Sequence, residues 1–461
     1  MKRLKIISLL GAVVVLNSCG LYKQYQRPSV NTKGLYRDSI SLNDTLATAD
    51  TLNMGNLKWQ EVFTDAALQQ LIDSGLKNNA NLQVAILSVQ EAEAQLRAAK
   101  LSFFSSLAFN GTGAVGRWDF STTATTYSLP IAASWNIDLF GKLTNAKRAQ
   151  QAILLQSKAY QQAVRTSLVS NIANSYYTLL MLDRQLEITD STAVLTKHTW
   201  DIMVAQKNYS SSTNEASVQS AKANYYSVLS SAEELKRQIR TTENALSLLI
   251  NQSPQTIRRN KIEDQTLPEN LAVGVPVQLL SNRPDVYSAE LNLAACYYQK
   301  KQAQANFYPN LTLSGSAGWT NSASIVINPG KVLLSAVANL TQPIFENGKL
   351  KASLKVAEAQ QQTAYIKWQY AVLSAGSEVN NALALYQTSA KKGSFDQQRV
   401  ESLIKNVDYA QKMFSLSPSV TYLEIITAQQ ALLTAQLSKV TDDFNKMQSI
   451  VNLYYALGGG R

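Results

Sequence analysis

The chain has 461 residues, of which 45% are hydrophobic and 16% charged, with a formal net charge of +11, one histidine and two cysteines. One histidine and so few thiols cannot assemble a zinc centre, a nucleophile–base pair or a disulfide framework, and no Gly-rich phosphate loop is present. The composition therefore reads as a non-enzyme with no metal and no bound cofactor. The basic excess is no nucleic-acid footprint: Lys2, Arg3 and Lys5 belong to a targeting segment, and the rest are scattered without a dense stripe, as on a solvated surface.

The basic start precedes an apolar run, Ile6 to Leu16, of ~11 residues, too short to span a bilayer and right for a secretory signal. It ends in Leu16-Asn17-Ser18-Cys19-Gly20, which resembles a bacterial lipoprotein signal in which Cys19 is acylated and becomes the new N-terminus. An ordinary signal peptide is the alternative. Two or three acyl chains, at ~0.8 kcal/mol per buried CH₂, hold a protein firmly to a membrane. Cys296, then without a partner, reads as a small buried apolar residue on a helix.

Leu21 to about Met54 is polar, lacks periodicity and predicts an extended strap. A short helix is expected over Ala66–Lys77, then an amphipathic one over Asn81–Leu101 with an alanine face at Ala85, Ala92 and Ala99. The period then changes to two. Leu107 to Trp118 and Tyr127 to Phe140 alternate around a loop at Ser121–Thr126, and Asn310–Trp319 with Val332–Phe345 repeat the hairpin around Asn321–Gly330. Lys142 to about Tyr209 contains no breaker and predicts a helix of ~68 residues, roughly 100 Å. A narrow seam runs along it through Leu168, Ser175 and Leu182, and through Ile172, Leu179 and Leu186. Ser210–Thr213 interrupts the pattern, with Ser212 and Glu215 as a capping box for the return helix, and Ser417-Pro418 marks the same place later. His198, within the long helix, reads as a surface imidazole.

The second half repeats the first. SWNIDLFGKLTNAKRAQQ from Ser134 and NLTQPIFENGKLKASLKVAEAQQ from Asn339 align at a displacement of ~207, with Gly348-Lys349-Leu350 on Gly141-Lys142-Leu143. The division is 1–18 signal; 19–58 strap; 59–253 first repeat, its hairpin about 105–140 and helices 142–253; 254–276 linker; 277–457 second repeat, its hairpin about 309–346 and helices 347–457; 458–461 tail. The linker is expected to fold against the helices. The fold class is mainly α with a small β part. All four strand runs reach the ~9–11 residues that cross a membrane, yet four strands cannot close a barrel, for which about eight is the minimum. An open edge in lipid is costly, so several copies must share one barrel; three would give twelve strands.

The motifs Tyr25-Gln-Arg-Pro28, Trp59…Phe63-Thr-Asp65…Leu68, SWNIDLFGK (134–142), LLSNRPDVYSAE (279–290), FYPNL (307–311), PIFENG (343–348) and YLEIITAQ (422–429), in this order, resemble the TolC-like outer-membrane efflux channels of the lipoprotein branch. The resemblance covers nearly everything after Cys19. It implies a homotrimer with a twelve-stranded outer-membrane β-barrel continuous with a long periplasmic α-helical barrel. Such a trimer would be a passive exit duct for small toxic compounds, drugs or metal ions. Its implied partners are a periplasmic adaptor protein, an inner-membrane RND-type pump and outer-membrane lipid, with no nucleic acid. The one attached group would be the lipid on Cys19. Glu424 and Thr427 fall where the family places acidic pore-gate residues; only Glu424 keeps the charge, and capping of the return helix with Thr421 is its other reading. The helical tips (Tyr209, Ser211, Ser212 and Thr213; Ser415, Ser417 and Pro418) are the implied adaptor contacts. Trp118, Tyr127, Trp135 and Trp319 suit membrane interfaces or a core. Arg283-Pro284-Asp285 reads as a helix start. A type I protein-secretion duct and a periplasmic coiled-coil scaffold are the competing functions.

Overall fold

The computed structural model describes residues 21–29, 35, 54–117, 119, 123–209, 214–266, 268, 282–321, 331–416 and 422–460. In chain order these form α1 (Trp59–Val62), α2 (Ala66–Asn78), α3 (Ala80–Leu101), β1 (Ser106–Phe109), β2 (Thr112–Gly116), β3 (Ala124–Ile137), α4 (Lys142–Tyr209), α5 (Glu215–Leu249), α6 (Pro284–Ala305), β4 (Asn310–Thr320), β5 (Lys331–Thr341), α7 (Lys349–Leu416) and α8 (Tyr422–Ala456). The duplication is visible in the boundaries. α4 and α7 have 68 residues each, α5 and α8 have 35 each, and every boundary of the second pair lies 207 positions after its counterpart. Gly141 and Gly348 take φ of +73° and +79°, so the shared Gly-Lys-Leu places glycine where a Cβ would strain the turn into each long helix. Asp138 caps α4, accepting the N–H groups of Leu143 (3.0 Å) and Thr144 (2.8 Å).

The described residues form two compact units, and neither coincides with a repeat. One takes its residues from 1–30, 86–159 and 287–371; the other from 31–85, 160–286 and 372–461.

The first unit holds an antiparallel sheet in the order β1/β2, β3, β4, β5. The expected strand from Leu107 to Trp118 is broken at Asn110-Gly111. Its halves β1 and β2 pair with β3 in one continuous register, and the Asn110 N–H donates to Pro130 O across the break (3.1 Å). β3 starts at Ala124, earlier than its alternation suggested, and ends at Ile137, where Asp138 turns to cap α4. β5 ends at Thr341 rather than Phe345, because β4 begins at Asn310, directly opposite. The helices here meet through small residues, Ala152 against Ala294 and Ala295, with Tyr25 and Ile153 packed alongside. Residues 21–29 are fastened to them: Tyr22 Oη donates to Asp138 O (3.1 Å), Arg148 to Tyr22 O (2.8 Å), and Arg27 pairs with Glu290 (2.6 Å). Cys296 is half-buried rather than buried.

The second unit has a conventional core. Ile172, Ala173, Tyr176, Tyr177, Leu179 and Leu180 of α4 are all buried, so its covered face is wider than a coiled-coil seam, and Ser175 and Leu186 lie at its edge. Leu68 and Ile72 of α2, Leu246 of α5, and Val451 and Leu453 of α8 are buried in the same unit. Contact is close: a Cβ on Gly75 would stand 2.4 Å from Ile172 Cδ1. α5 is capped by Asn214, whose Oδ1 accepts from Ser217 N (2.9 Å), and not by the Ser212–Glu215 box. Glu215 is the first helical residue and pairs with Lys207.

Polar residues tie the linker to this unit. Asp65 accepts from Ala67 N (2.8 Å), Tyr176 Oη (2.7 Å), Asn260 Nδ2 (3.0 Å) and Gln265 Nε2 (2.7 Å). Arg259 bridges Asp183 (2.5 Å) and Glu243 (2.6 Å). Pro284 and Asp285 open α6 as expected, but Arg283 is more than a helix start. It is 2% exposed and pairs with both Asp285 and Glu378 (2.5 Å each).

Candidate functional site

Side chains alternate across a strand, so the pairing register sorts every sheet residue onto one of two faces. One face carries Leu107, Phe109 and Val115; Tyr127, Leu129, Ile131 and Trp135; Leu313, Ala317 and Trp319; and Val332, Leu334 and Leu340. The other carries Ser106 and Thr112; Thr126, Ser128, Ser134 and Asn136; Thr312, Ser314 and Ser316; and Ser335, Asn339 and Thr341, with Leu333 and Val337 as its large apolar members. The apolar face is uncovered: Leu334 is 77% exposed, and Leu107, Phe109, Val115, Ile131 and Leu340 are exposed too. A continuous exposed apolar face opposite a polar one matches a strand set with lipid on one side and water on the other.

The aromatic residues refine that reading. Trp135 lies near one end of β3 and Tyr127 near the other, on the same face, separated by about 26 Å at ~3.3 Å per residue, close to the apolar band of a barrel. Trp319 is exposed near the Tyr127 end, and Trp135 donates its indole N–H to Phe103 O (2.8 Å). Exposure and paired ends fit interface anchors and exclude a core role for the two tryptophans; Trp118 lies outside the described residues. No described helix is long and apolar enough to cross a membrane. The outer edges of β1/β2 and β5 have no strand partner among the described residues.

Glu424 and Thr427 sit in the first turns of α8, both exposed and three positions apart, so they share a face. The opposite face is fixed. Ile426 packs with Met203, Val218 and Ala221, and Gln429 donates to Thr199 Oγ1 (2.8 Å). Thr421, the other member of the proposed capping box, lies outside the described residues. So do Cys19, Ser211, Ser212, Thr213, Ser417 and Pro418, and the side chains of Tyr209 and Ser415. His198 is exposed on α4. Beside the α4–α5 end, Trp200 stacks on Tyr225 (5.9 Å between centroids) with Lys197 and Lys222 over its ring. The cluster was not expected from the sequence, although the adjacent Tyr225 and Tyr226 carry a signal for it.

Buried charge is also present where the sequence suggested a solvated helix. Asp442 is 2% exposed and meets Lys392 (2.7 Å). Burial pushes its carboxyl above the usual range, Lys392 opposes that shift, and Asp396 adds to it. Among the described residues no group of three or more His, Cys, Asp or Glu could hold a metal ion.

A channel wall is what this arrangement can make, and comparison with known proteins agrees. The profile of the outer membrane efflux protein family matches twice, over residues 71–252 and 275–459, once for each repeat. The chain belongs to the outer membrane efflux protein family. The cation efflux system protein CusC of Escherichia coli is 30% identical over 458 residues, 97% of each chain. The probable outer membrane lipoprotein SilC of Salmonella typhimurium is 28% identical, covering 100% of this chain and 99% of its own. Crystal structures of CusC, concerned with folding and transmembrane channel formation, superpose with a TM-score of 0.80 at 27% identity, covering 95% of this chain and 99% of that one. This family member is thus an outer-membrane efflux channel protein, and the two-faced sheet is its membrane element.

Proposed function

We propose that three copies join their sheets edge to edge into one twelve-stranded barrel, a passive exit duct for small toxic compounds, metal cations or drugs. The observation that carries this reading is the sheet itself. Among the described residues it has too few strands to close alone, an exposed apolar face and two edges without a strand partner. An RND-type inner-membrane pump would supply the energy and a periplasmic adaptor the connection, leaving this chain no chemical step to perform. The cation efflux assignment of CusC supports metal ions as cargo; the solvent efflux pump protein SrpC of Pseudomonas putida, 27% identical over 97% of both chains, supports organic compounds equally. A deletion strain challenged with a panel of metals and solvents separates the two.

The remaining assignments belong to the same proposal. Cys19 carries the lipid, and mass spectrometry of the mature N-terminus tests it. Glu424, with Thr427 beside it, faces the pore. Tyr209, Ser211, Ser212, Thr213, Ser415, Ser417 and Pro418 form the adaptor contact; a charge at Ser211 or Ser415 should abolish export while leaving oligomers intact. The decisive experiment is native mass and planar-bilayer conductance of protein extracted in mild detergent. A conducting trimer is expected, and a non-conducting monomer would overturn the reading.

A further inference from the structure

The internal repeat fixes how neighbouring copies must pair. In the first hairpin Ser106 faces Ser134 and Gly116 faces Ala124; in the second Asn310 faces Thr341 and Thr320 faces Lys331. The second hairpin is therefore the first with its leading strand advanced by 204 positions and its returning strand by 207, in an unchanged register. Between the hairpins, β3 and β4 pair from Ser128 opposite Thr320 to Ile137 opposite Leu311. A barrel built from such hairpins repeats that junction wherever one hairpin follows another.

We propose that β5 of one copy pairs with β2 and β1 of the next in the register obtained by applying the same displacements to the β3–β4 junction. The proposal rests on the closed-barrel reading above. Ser335 then faces the partner subunit's Gly116, Val337 the partner subunit's Ala114, Ala338 the partner subunit's Gly113, Asn339 the partner subunit's Thr112, and Ile344 the partner subunit's Leu107. The interface is antiparallel, and its occupant is a second copy of this chain.

Two features of the molecule agree with this register. The first is the continuity of the faces. Ala336, Ala338 and Leu340 lie on the apolar face, and the register sets them opposite Val115, Gly113 and Gly111, which lie on the same face. A slip of one residue would join the apolar face to the polar one all along the seam. The second is the early end of β5. β3 continues to Ile137 because β4 accompanies it, and the counterpart of Ile137 is Ile344, three residues beyond the end of β5. Ile344 is 96% exposed and Leu107 72% exposed. Each is the other's partner in the proposed ladder, so pairing between copies extends β5 through Gln342, Pro343 and Ile344.

Disulfide mapping in membranes tests the register, using the full-length chain with Cys296→Ser as background. Val337→Cys with Ala114→Cys, and Ala338→Cys with Gly113→Cys, are the on-register pairs. They occupy opposite faces and alternate in hydrogen-bonding type, so at least one has closely spaced Cβ atoms. Within one chain β2 and β5 are separated by two strands, beyond disulfide reach, so any bond joins copies. Val337→Cys with Thr112→Cys, or with Gly116→Cys, are the off-register pairs. Mild oxidation should give covalent oligomers from an on-register pair in about tenfold excess over both off-register pairs, since diagonal neighbours lie beyond disulfide length. Stronger bonding of an off-register pair, or none in any pair while native oligomers persist, overturns the register and leaves the barrel reading standing. Absence of oligomers in the Cys296→Ser background overturns the barrel reading instead.

Discussion

The sheet and the helical core of the second unit treat the same residue types in opposite ways. Ile172, Leu179, Leu180 and Leu246 are buried among neighbours, whereas Ile131, Leu334 and Leu340 of the sheet stand exposed. Apolar burial is worth roughly 25 cal/mol per Å² in either place, but only the core collects it within one chain. For the sheet the gain must come from lipid and from other copies. The difference separates what folds this protein from what assembles it.

The largest effect that can break this comparison is in the core. Ile172→Ala should cost about 2–5 kcal/mol in chemical denaturation, while Leu334→Ala should change the stability of the detergent-solubilised protein by less than about 1 kcal/mol. Equal losses would mean that the sheet is packed in the same sense as the core. Next is charge on the sheet. Leu334→Arg should destabilise the membrane-inserted form by about 2–4 kcal/mol, and Ser316→Arg, on the polar face, by about 1 kcal/mol or less. Comparable assembly yields from both variants would remove the assignment of faces.

Asp65 sharpens the comparison from the helical side. Its partial burial pushes its carboxyl upward, but donation from Tyr176, Gln265, Ala67 and Asn260 outweighs that and holds it below the usual range. A carboxylate held low stabilises the fold above its unfolded-state pKa of about 3.9 and loses that contribution as pH falls through the folded value. Asp65→Asn should thus lower stability by about 1–2 kcal/mol at neutral pH. The Tm gap to the parent should begin to narrow as pH falls below about 4 and close only below the lowered folded value; a gap independent of pH would place the effect in packing. The smallest expected change in stability is at Glu424→Gln, within about 0.5 kcal/mol, accompanied by reduced cation preference in bilayer recordings. Unchanged selectivity would remove Glu424 from the pore.

The sequence made the duplication and the long helices legible because Lys142–Tyr209 and its second copy run almost without breakers, and because Gly141 and Gly348 stand where the backbone requires positive φ. The face assignment was equally readable, since alternation with period two survives in any register that respects it. The break at Asn110-Gly111 was hidden because Phe109, Gly111 and Gly113 keep the alternation through it. Cap choice was misread at Ser212–Glu215, where serine-rich spacing obscured Asn214. Arg259, Arg283 and Asp442 were missed for a common reason. A charged residue reads as solvated whether it stands in a linker (Arg259), before a helix (Arg283) or on one (Asp442), and its burial depends on partners such as Asp183, Glu378 and Lys392 that lie far away in the chain. Of the residues singled out for function, the structure places Glu424 and Thr427 on one exposed face, while Cys19 and most of the tip residues lie outside the described residues.

The most direct measurement is a single-cysteine scan along Lys331–Thr341 in outer membranes, reading labelling by a water-soluble maleimide and quenching of a fluorophore by nitroxide lipids. Leu333, Ser335, Val337 and Asn339 should label, and Val332, Leu334, Ala336, Ala338 and Leu340 should be protected yet quenched from the lipid side. Uniform labelling at both sets, with no period of two and no quenching, would contradict a sheet that stands between lipid and a water-filled pore.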